Sequence, residues 1–428
     1  MKAIVLAAGR SSRFWPLAQD GHKSTYHVGY GKSVIQYTLD SLMSVGIKEV
    51  AVVRAPIDPP LAKGLMNYQA QNGLKISSFC QAGATGTGDA ILAAEEFFSD
   101  LKQSERFLVL NANQMGMNSM LSNFDNKYLY LSKHVGNILF GQKTEHPENF
   151  GVMRVDEKGK VLEVREKPKS FISPIRIVGV YLLNKTFLKE LKNHSGEYSL
   201  EETLQVMVER GESFKAVVLP PEMPLFSLKY PWDLLAMNRY LMKHDSRLDD
   251  YMNNTEALKN DVLIKAGVQF SGEGIVVSRG VIIYENAVIK GPCFIDEGAV
   301  IGNHALIRGH SYIGKNVVVG AHSEVKNSIL YDNVELHHNF IGDSILDHDC
   351  SLGAGTITAN KRFDRKNIKI QVNNDGVDTG LNGLGVIMGP GVKTGINVSL
   401  MPGVKIGPGV VIRPGEIVDQ SYVKKLDY

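Results

Sequence analysis

A chain of 428 residues is long for one hydrophobic core, so two domains are expected. Hydrophobic residues make up 43% and charged residues 21%, as in a soluble globular protein, and a net charge of +2 without a basic run argues against nucleic acid or membrane as partner. Cys80, Cys293 and Cys350 are far apart in apolar contexts, and read as buried thiols of a reducing cytosol rather than a disulfide frame or a metal site.

The N-terminal apolar run ends at Leu6, too short for a signal peptide, and no stretch approaches the roughly 18 apolar residues of a membrane span. The expected compartment is therefore the cytoplasm. Ala3–Leu6 reads as a buried strand, followed by the small-residue turn Ala7-Ala8-Gly9-Arg10-Ser11-Ser12-Arg13. Backbone N–H groups in such a turn can approach phosphates, and Arg13 can pair with them. An ordinary strand-to-helix turn would look the same. Ser33 to Leu42 has helical periodicity, Glu49–Val53 reads as a strand, Asp89 to Phe98 as a helix and Phe107–Leu110 as a strand. This alternation predicts an α/β sheet with helices on both faces. Gly151–Val155 and Val161–Val164 flank a polar turn and predict a hairpin. Trp232 to Tyr251 is amphipathic and predicts a linking helix.

The last third has another rhythm. Val277, Ile283, Ile289, Ile295, Ile301, Ile307, Ile313, Val319 and Val325 stand six apart, and Met388, Thr394, Leu400, Ile406, Ile412 and Val418 repeat the spacing. Two residues before these positions the chain is mostly small: Ala287, Cys293, Ala299, Ala305, Ser311 and Ser323. A period of six belongs to a hexapeptide β-helix, whose three-sided coil turns one aliphatic residue inward on each side. Lys361 to Gly385 breaks the pattern and predicts a projecting loop or ribbon.

Leu6-Ala7-Ala8-Gly9, Arg13, Pro16-Leu17 and Lys23 together resemble the opening motif of the sugar-1-phosphate nucleotidylyltransferases. Gly31-Lys32-Ser33, Gln81 with Gly86-Thr87, Glu166-Lys167-Pro168 and Val178-Gly179-Val180-Tyr181 resemble its later motifs, in order. The resemblance implies in-line attack of a sugar-1-phosphate on the α-phosphorus of a nucleoside triphosphate, with Mg2+ and cations holding the phosphates. It implies nucleotide contacts from Ala7, Ala8, Gly9, Arg13, Lys23, Gln81, Gly86 and Thr87, with Arg13 and Lys23 in the catalytic role. It places Gly151, Glu166 and Lys167 on the sugar phosphate. Three departures stand out. Asn113 and Ser227 occupy the positions of the family's metal ligands, and Ser24 replaces the proline after the lysine. A neutral amide and a hydroxyl suit a hard dication poorly, which predicts weak Mg2+ binding and impaired nucleotidyl transfer.

Glu324-Val325-Lys326-Asn327-Ser328, His337 to Ser344 and Gly353 to Asn360 resemble the N-acetyltransferase half of bifunctional enzymes that also carry a nucleotidylyltransferase half, the archaeal type above all. The fold so implied is a Rossmann-like nucleotidylyltransferase domain over residues 1–235, a helical linker over 236–258 and a left-handed parallel β-helix over 259–428. The chemistry implied is acetyl transfer from acetyl-CoA to glucosamine- or galactosamine-1-phosphate, with His337 as the base, since histidine titrates near working pH. Arg308, Lys326 and Asn360 would hold the sugar phosphate, Lys366 and Lys369 the CoA phosphates, and the fold implies a homotrimer. Here too the chain departs: Phe340 replaces a tyrosine, and Leu381 and Gly383 replace two cations. The other expectation left open is a non-catalytic paralogue that binds nucleotide sugars and regulates or scaffolds an active relative.

Overall fold

The structure, a computed structural model, describes residues 1–19, 21–83, 85–103, 105–122, 136–244, 261–373 and 375–421. They form two compact units. The first comprises Met1–Arg10, Asp20–Thr25 and Val34–Ser227, and the second Ser11–Gln19, Tyr26–Ser33 and Leu228–Tyr428.

The first unit is built on a nine-stranded sheet. Its strand Lys2–Ala7 lies parallel between Glu49–Arg54 and Arg106–Asn111. Ile175–Asn184 then runs antiparallel to Arg106–Asn111. Ala3, Val5 and Ala7 pack with Ile35, Leu39 and Leu61. Ile4 and Leu6 pack with Ala90, Ile91 and Leu200, among a separate set of side chains. Helices thus cover both faces, which is why these strands read as unbroken apolar runs. The expected first helix spans Val34–Ser44. The second is a helix over Thr87–Ala93 followed by a 3-10 turn over Glu95–Phe98. The hairpin forms as Gly151–Val155 against Val161–Glu166.

One cysteine departs from expectation. Cys80 is exposed, while Cys293 and Cys350 are buried. Cys80 ends Lys75–Cys80, an edge strand of the sheet that pairs among the described residues with Glu49–Arg54 alone.

In the second unit, three parallel sheets of eight, eight and seven strands form the expected left-handed β-helix. Ile283 pairs with Ile301 and Ile301 with Val319, so one coil spans three hexads. From Ile283 to Val325 every hexad residue is fully buried, as are Ala287, Cys293, Ala299 and Ala305 at the corners. The irregular stretch is an antiparallel ribbon of Lys369–Val372 and Asp375–Asp378. It does not project freely: Ile368 and Ile370 are buried, and a Cβ at Gly403 would come within 2.5 Å of Ile368 Cγ2. The linking helix is Asp233–His244, and residues 245–251 of its expected span lie outside the described residues. No helix among the described residues is long and apolar enough to cross a membrane.

Candidate functional site

The first unit holds a cavity of about 210 Å³ lined by Thr87, Asn111, Gln114, Gly151, Glu166 and Ser227, among others. Gly151 leaves room for a carboxylate, since a Cβ there would lie 2.5 Å from Glu166 Oε2. Lys167 has a positive φ of 40°, pairs with Glu166 at 3.7 Å and lies over the Tyr198 ring. Glu201 lines the same cavity, a residue the motifs did not single out. Burial first, and the neighbouring Glu166 second, push its carboxyl up to about 7. Burial also raises the Glu166 carboxyl.

Gln81 and Gly86 are held together. Gln81 is buried, and its Nε2 donates to the Gly86 carbonyl at 3.0 Å. Gly86 has φ 139°, and a Cβ there would come within 2.5 Å of the Gly196 carbonyl oxygen, so only glycine fits. Thr87 begins the helix that follows. Ala7 and Ala8 are buried at the end of the first strand, whereas Gly9 is exposed.

Lys23 stands in a 3-10 turn whose flanks explain the missing proline. Ser24 is fully buried and its hydroxyl bonds His22 Nδ1 at 2.7 Å. The His22 backbone N–H donates to Asp58, which also caps the helix Pro59–Asn72. Burial, with Lys23 adding to it, pushes His22 down to about 3, so a neutral imidazole braces the turn. Arg13, by contrast, belongs to the second unit.

The residues at the expected metal position, Asn113 and Ser227, are neutral. Ser227 pairs with Gln114 in a two-stranded ladder, next to Asn113 in sequence. Gln114 Nε2 donates to the Val178 carbonyl, and among the described residues its buried Oε1 has no hydrogen-bond partner. Gly179 has a φ of 71°, and a Cβ there would lie 2.6 Å from both Asn111 Nδ2 and Gln114 Nε2. Two side-chain amides therefore fill this position. Among the described residues no group of three His, Cys, Asp or Glu could hold a metal ion. The donor set does not fit a tightly held Mg2+. Asn113 signalled this in the sequence; Asn111 and Gln114 could have been read from the same amide-rich run.

The β-helix carries a second cluster, centred on Asp343. Lys326 Nζ lies 3.4 Å from its Oδ2, Asn327 Nδ2 donates to its Oδ1 at 2.5 Å, and Asn360 Nδ2 also donates to it. Lys326 ends its strand one coil from Arg308, whose Nη1 pairs with Glu324 at 2.8 Å. Asp343 thus gathers two of the residues expected near a sugar phosphate, Lys326 and Asn360, together with Asn327, and it was not itself predicted. His337 lies on the preceding corner, exposed, after Glu335–Leu336. Its backbone N–H is held by Asn339 Oδ1 at 2.5 Å, which fixes the corner. Lys366 and Lys369 are exposed at the base of the ribbon.

An α/β sheet with a cavity lined by the sugar-phosphate motif, continued by a β-helix with a basic and amide cluster, defines a nucleotidyltransferase-type domain fused to an acyltransferase-type β-helix. A family model described as nucleotidyl transferase matches residues 2–222, and one described as the GMPPB C-terminal domain matches residues 289–374. The chain is 32% identical to the bifunctional protein GlmU of Methanocaldococcus jannaschii over 92% of this chain and 89% of that protein. It is 27% identical to the bifunctional sugar-1-phosphate nucleotidylyltransferase/acetyltransferase of Sulfurisphaera tokodaii, over 92% of each. The chain belongs to this bifunctional nucleotidyltransferase and acetyltransferase family, the GlmU family.

Proposed function

We propose that this chain transfers acetyl groups from acetyl-CoA to glucosamine- or galactosamine-1-phosphate, while its nucleotidyltransferase half binds nucleoside triphosphate and sugar-1-phosphate but turns over slowly. The observation that carries this reading is the contrast between the two clusters. Lys326, Asn327 and Asn360 are pre-positioned by Asp343, whereas Asn111, Asn113, Gln114 and Ser227 offer Mg2+ no anionic oxygen. Hydrogen-bonded side chains whose positions are already fixed cost little to order when substrate arrives.

In the acetyl-transfer step, the sugar amine nitrogen attacks the thioester carbonyl carbon. The C–N bond forms, the C–S bond breaks, and His337 accepts the amine proton, which then neutralises the departing thiolate. Arg308 and Lys326 hold the sugar phosphate, Asn360 its sugar or the acetyl group, and Lys366 and Lys369 the CoA phosphates. Ala7, Ala8, Gly9, Arg13, Lys23, Gln81, Gly86 and Thr87 bind the nucleotide, and Gly151, Glu166 and Lys167 its sugar-phosphate partner. A cytoplasmic homotrimer is the assembly we assign.

The test is CoA-thiol release from acetyl-CoA with glucosamine-1-phosphate as acceptor. The intact protein should release thiol, and His337→Ala should reduce the rate at least a hundredfold with acetyl-CoA binding retained, as expected for loss of a general base. Nucleotide binding without thiol release would favour the other reading, a non-catalytic nucleotide-sugar-binding subunit that regulates or scaffolds an active relative.

A further inference from the structure

The loop Ser11–Gln19, which carries Arg13, is part of the second unit and packs there with the β-helix. The Tyr26 hydroxyl accepts from the Ala18 N–H at 2.7 Å and donates to Asp347 at 2.7 Å. The Trp15 ring lies under Lys405, with Nζ 4.8 Å from its centroid. Trp15, Arg13 and Lys405 line one cavity of about 270 Å³, together with Ser12, Gln371 and Asn373.

The chemistry of that lining is one-sided. Among the described residues it holds two cations, several hydrogen-bond donors and no carboxylate. Lys405 is only 6% exposed, and among the described residues its ammonium has no anionic partner, only the face of Trp15. Burial pushes this ammonium down to about 8. A cation withdrawn from water without a counter-charge is costly, and an anion entering the cavity offsets that cost. Arg13 is exposed on the other part of the same wall, so a ligand with more than one negative group can meet both cations.

We propose that this cavity is a phosphoryl-anion site in which Lys405 of the β-helix and Arg13 jointly bind a diphosphate or longer polyphosphate. The site takes the polyphosphate of a nucleotide or of CoA, or free pyrophosphate; the three share the chemistry that the two cations recognise. It rests on Arg13 as a phosphate-binding residue and not on acetyl transfer. Thiol release and pyrophosphate binding can therefore fail separately.

The test uses the full-length protein without Mg2+, titrated with inorganic pyrophosphate by calorimetry and by indole fluorescence, since Trp15 lines the site. Lys405→Met and Arg13→Gln should each weaken binding at least about tenfold. Gln371→Glu, on the exposed ribbon, adds a negative charge to the rim without disturbing a core and should weaken it in the same direction. Absence of pyrophosphate binding in the intact protein overturns the proposal. So does unchanged affinity in Lys405→Met, which would leave Arg13 acting without the β-helix. If Lys405→Met does not fold, unchanged affinity in Gln371→Glu overturns it instead. Competition then separates the sources: displacement by UTP alone assigns the site to a nucleotide, and by CoA alone to the acyl carrier. Displacement by neither assigns it to free pyrophosphate.

Discussion

Glu201 illustrates how a residue with no motif becomes chemically distinctive. It shares a cavity with Glu166; Glu166 and Glu202 raise its pKa, and its own backbone N–H and Lys167 lower it. Burial is the largest influence, and the carboxyl reaches about 7. The folded state therefore holds a proton that the unfolded chain releases at lower pH. Between the ordinary carboxylate range and pH 7 the folded state binds more protons, so Glu201 stabilises at low pH and loses that contribution as pH rises through 7. Glu201→Gln should remove this slope. The variant should match the parent near pH 4.5 and exceed it at pH 8 by on the order of 1 to 3 kcal/mol, read from denaturant unfolding of both proteins. Equal stabilities at pH 8 would show that Glu201 ionises freely. Nothing in the sequence announced this carboxylate, because its shift arises from tertiary neighbours. Asn113 was legible because a change of residue type at a motif position needs no coordinates.

At the scale of elements, the hexad ladder was legible where the coil is regular and obscure where it is not. Val319 pairs with Leu336 and Leu336 with Leu352, spacings shorter than three hexads. The corners responsible hold Asn327, His338 and Asp343, all with positive φ near 50°. Each of these steps is one residue shorter than a regular hexad, whose corners also carry positive φ at His304 and Asn316, and Asn and Asp tolerate that conformation better than most side chains. Asn327 and Asp343 also hydrogen-bond each other, so the site cluster grows out of the very corners that break the period. Within the regular stretch, Ile301 lies between Ile283 and Val319 in the fully buried stack. Neighbouring coils contact only one another, so a void there is not filled from elsewhere. Ile301→Ala should destabilise the β-helix by about 2 to 5 kcal/mol. A shift in denaturant midpoint, with unchanged slope, would confirm it. A loss under 1 kcal/mol would mean that the stack collapses around the gap.

At the scale of the whole chain, the two units are not consecutive in sequence, and this the sequence could not show. Motif order placed residues 11–33 in a nucleotide-binding domain, yet Ser11–Gln19 and Tyr26–Ser33 belong to the unit with the β-helix. The reason lies in contacts that no local pattern encodes. Tyr30 donates to the Met242 carbonyl, the Tyr331 hydroxyl donates to the His27 carbonyl, and Tyr26 bonds Asp347. Asp347 is 3% exposed, and burial raises its pKa, opposed first by the Tyr26 hydroxyl and then by the His348 N–H. Tyr26→Phe removes the hydroxyl and keeps the ring stacked edge-on against Phe14 and Tyr331. It leaves both the Ala18 N–H and the Asp347 carboxylate short of a partner. The expected loss is about 1 to 3 kcal/mol. It should be larger at pH 8 than at pH 4, because a carboxyl with a raised folded-state pKa costs stability once pH passes that value, and losing a donor increases the cost. Both tryptophans of the chain, Trp15 and Trp232, lie in the second unit, so indole fluorescence follows its unfolding directly. A Tyr26→Phe transition that falls at both pH values by the same amount would place the bond to Asp347 outside the stability of this unit. A loss confined to high pH, seen by indole emission, would show that a segment from the first tenth of the chain holds the β-helix together.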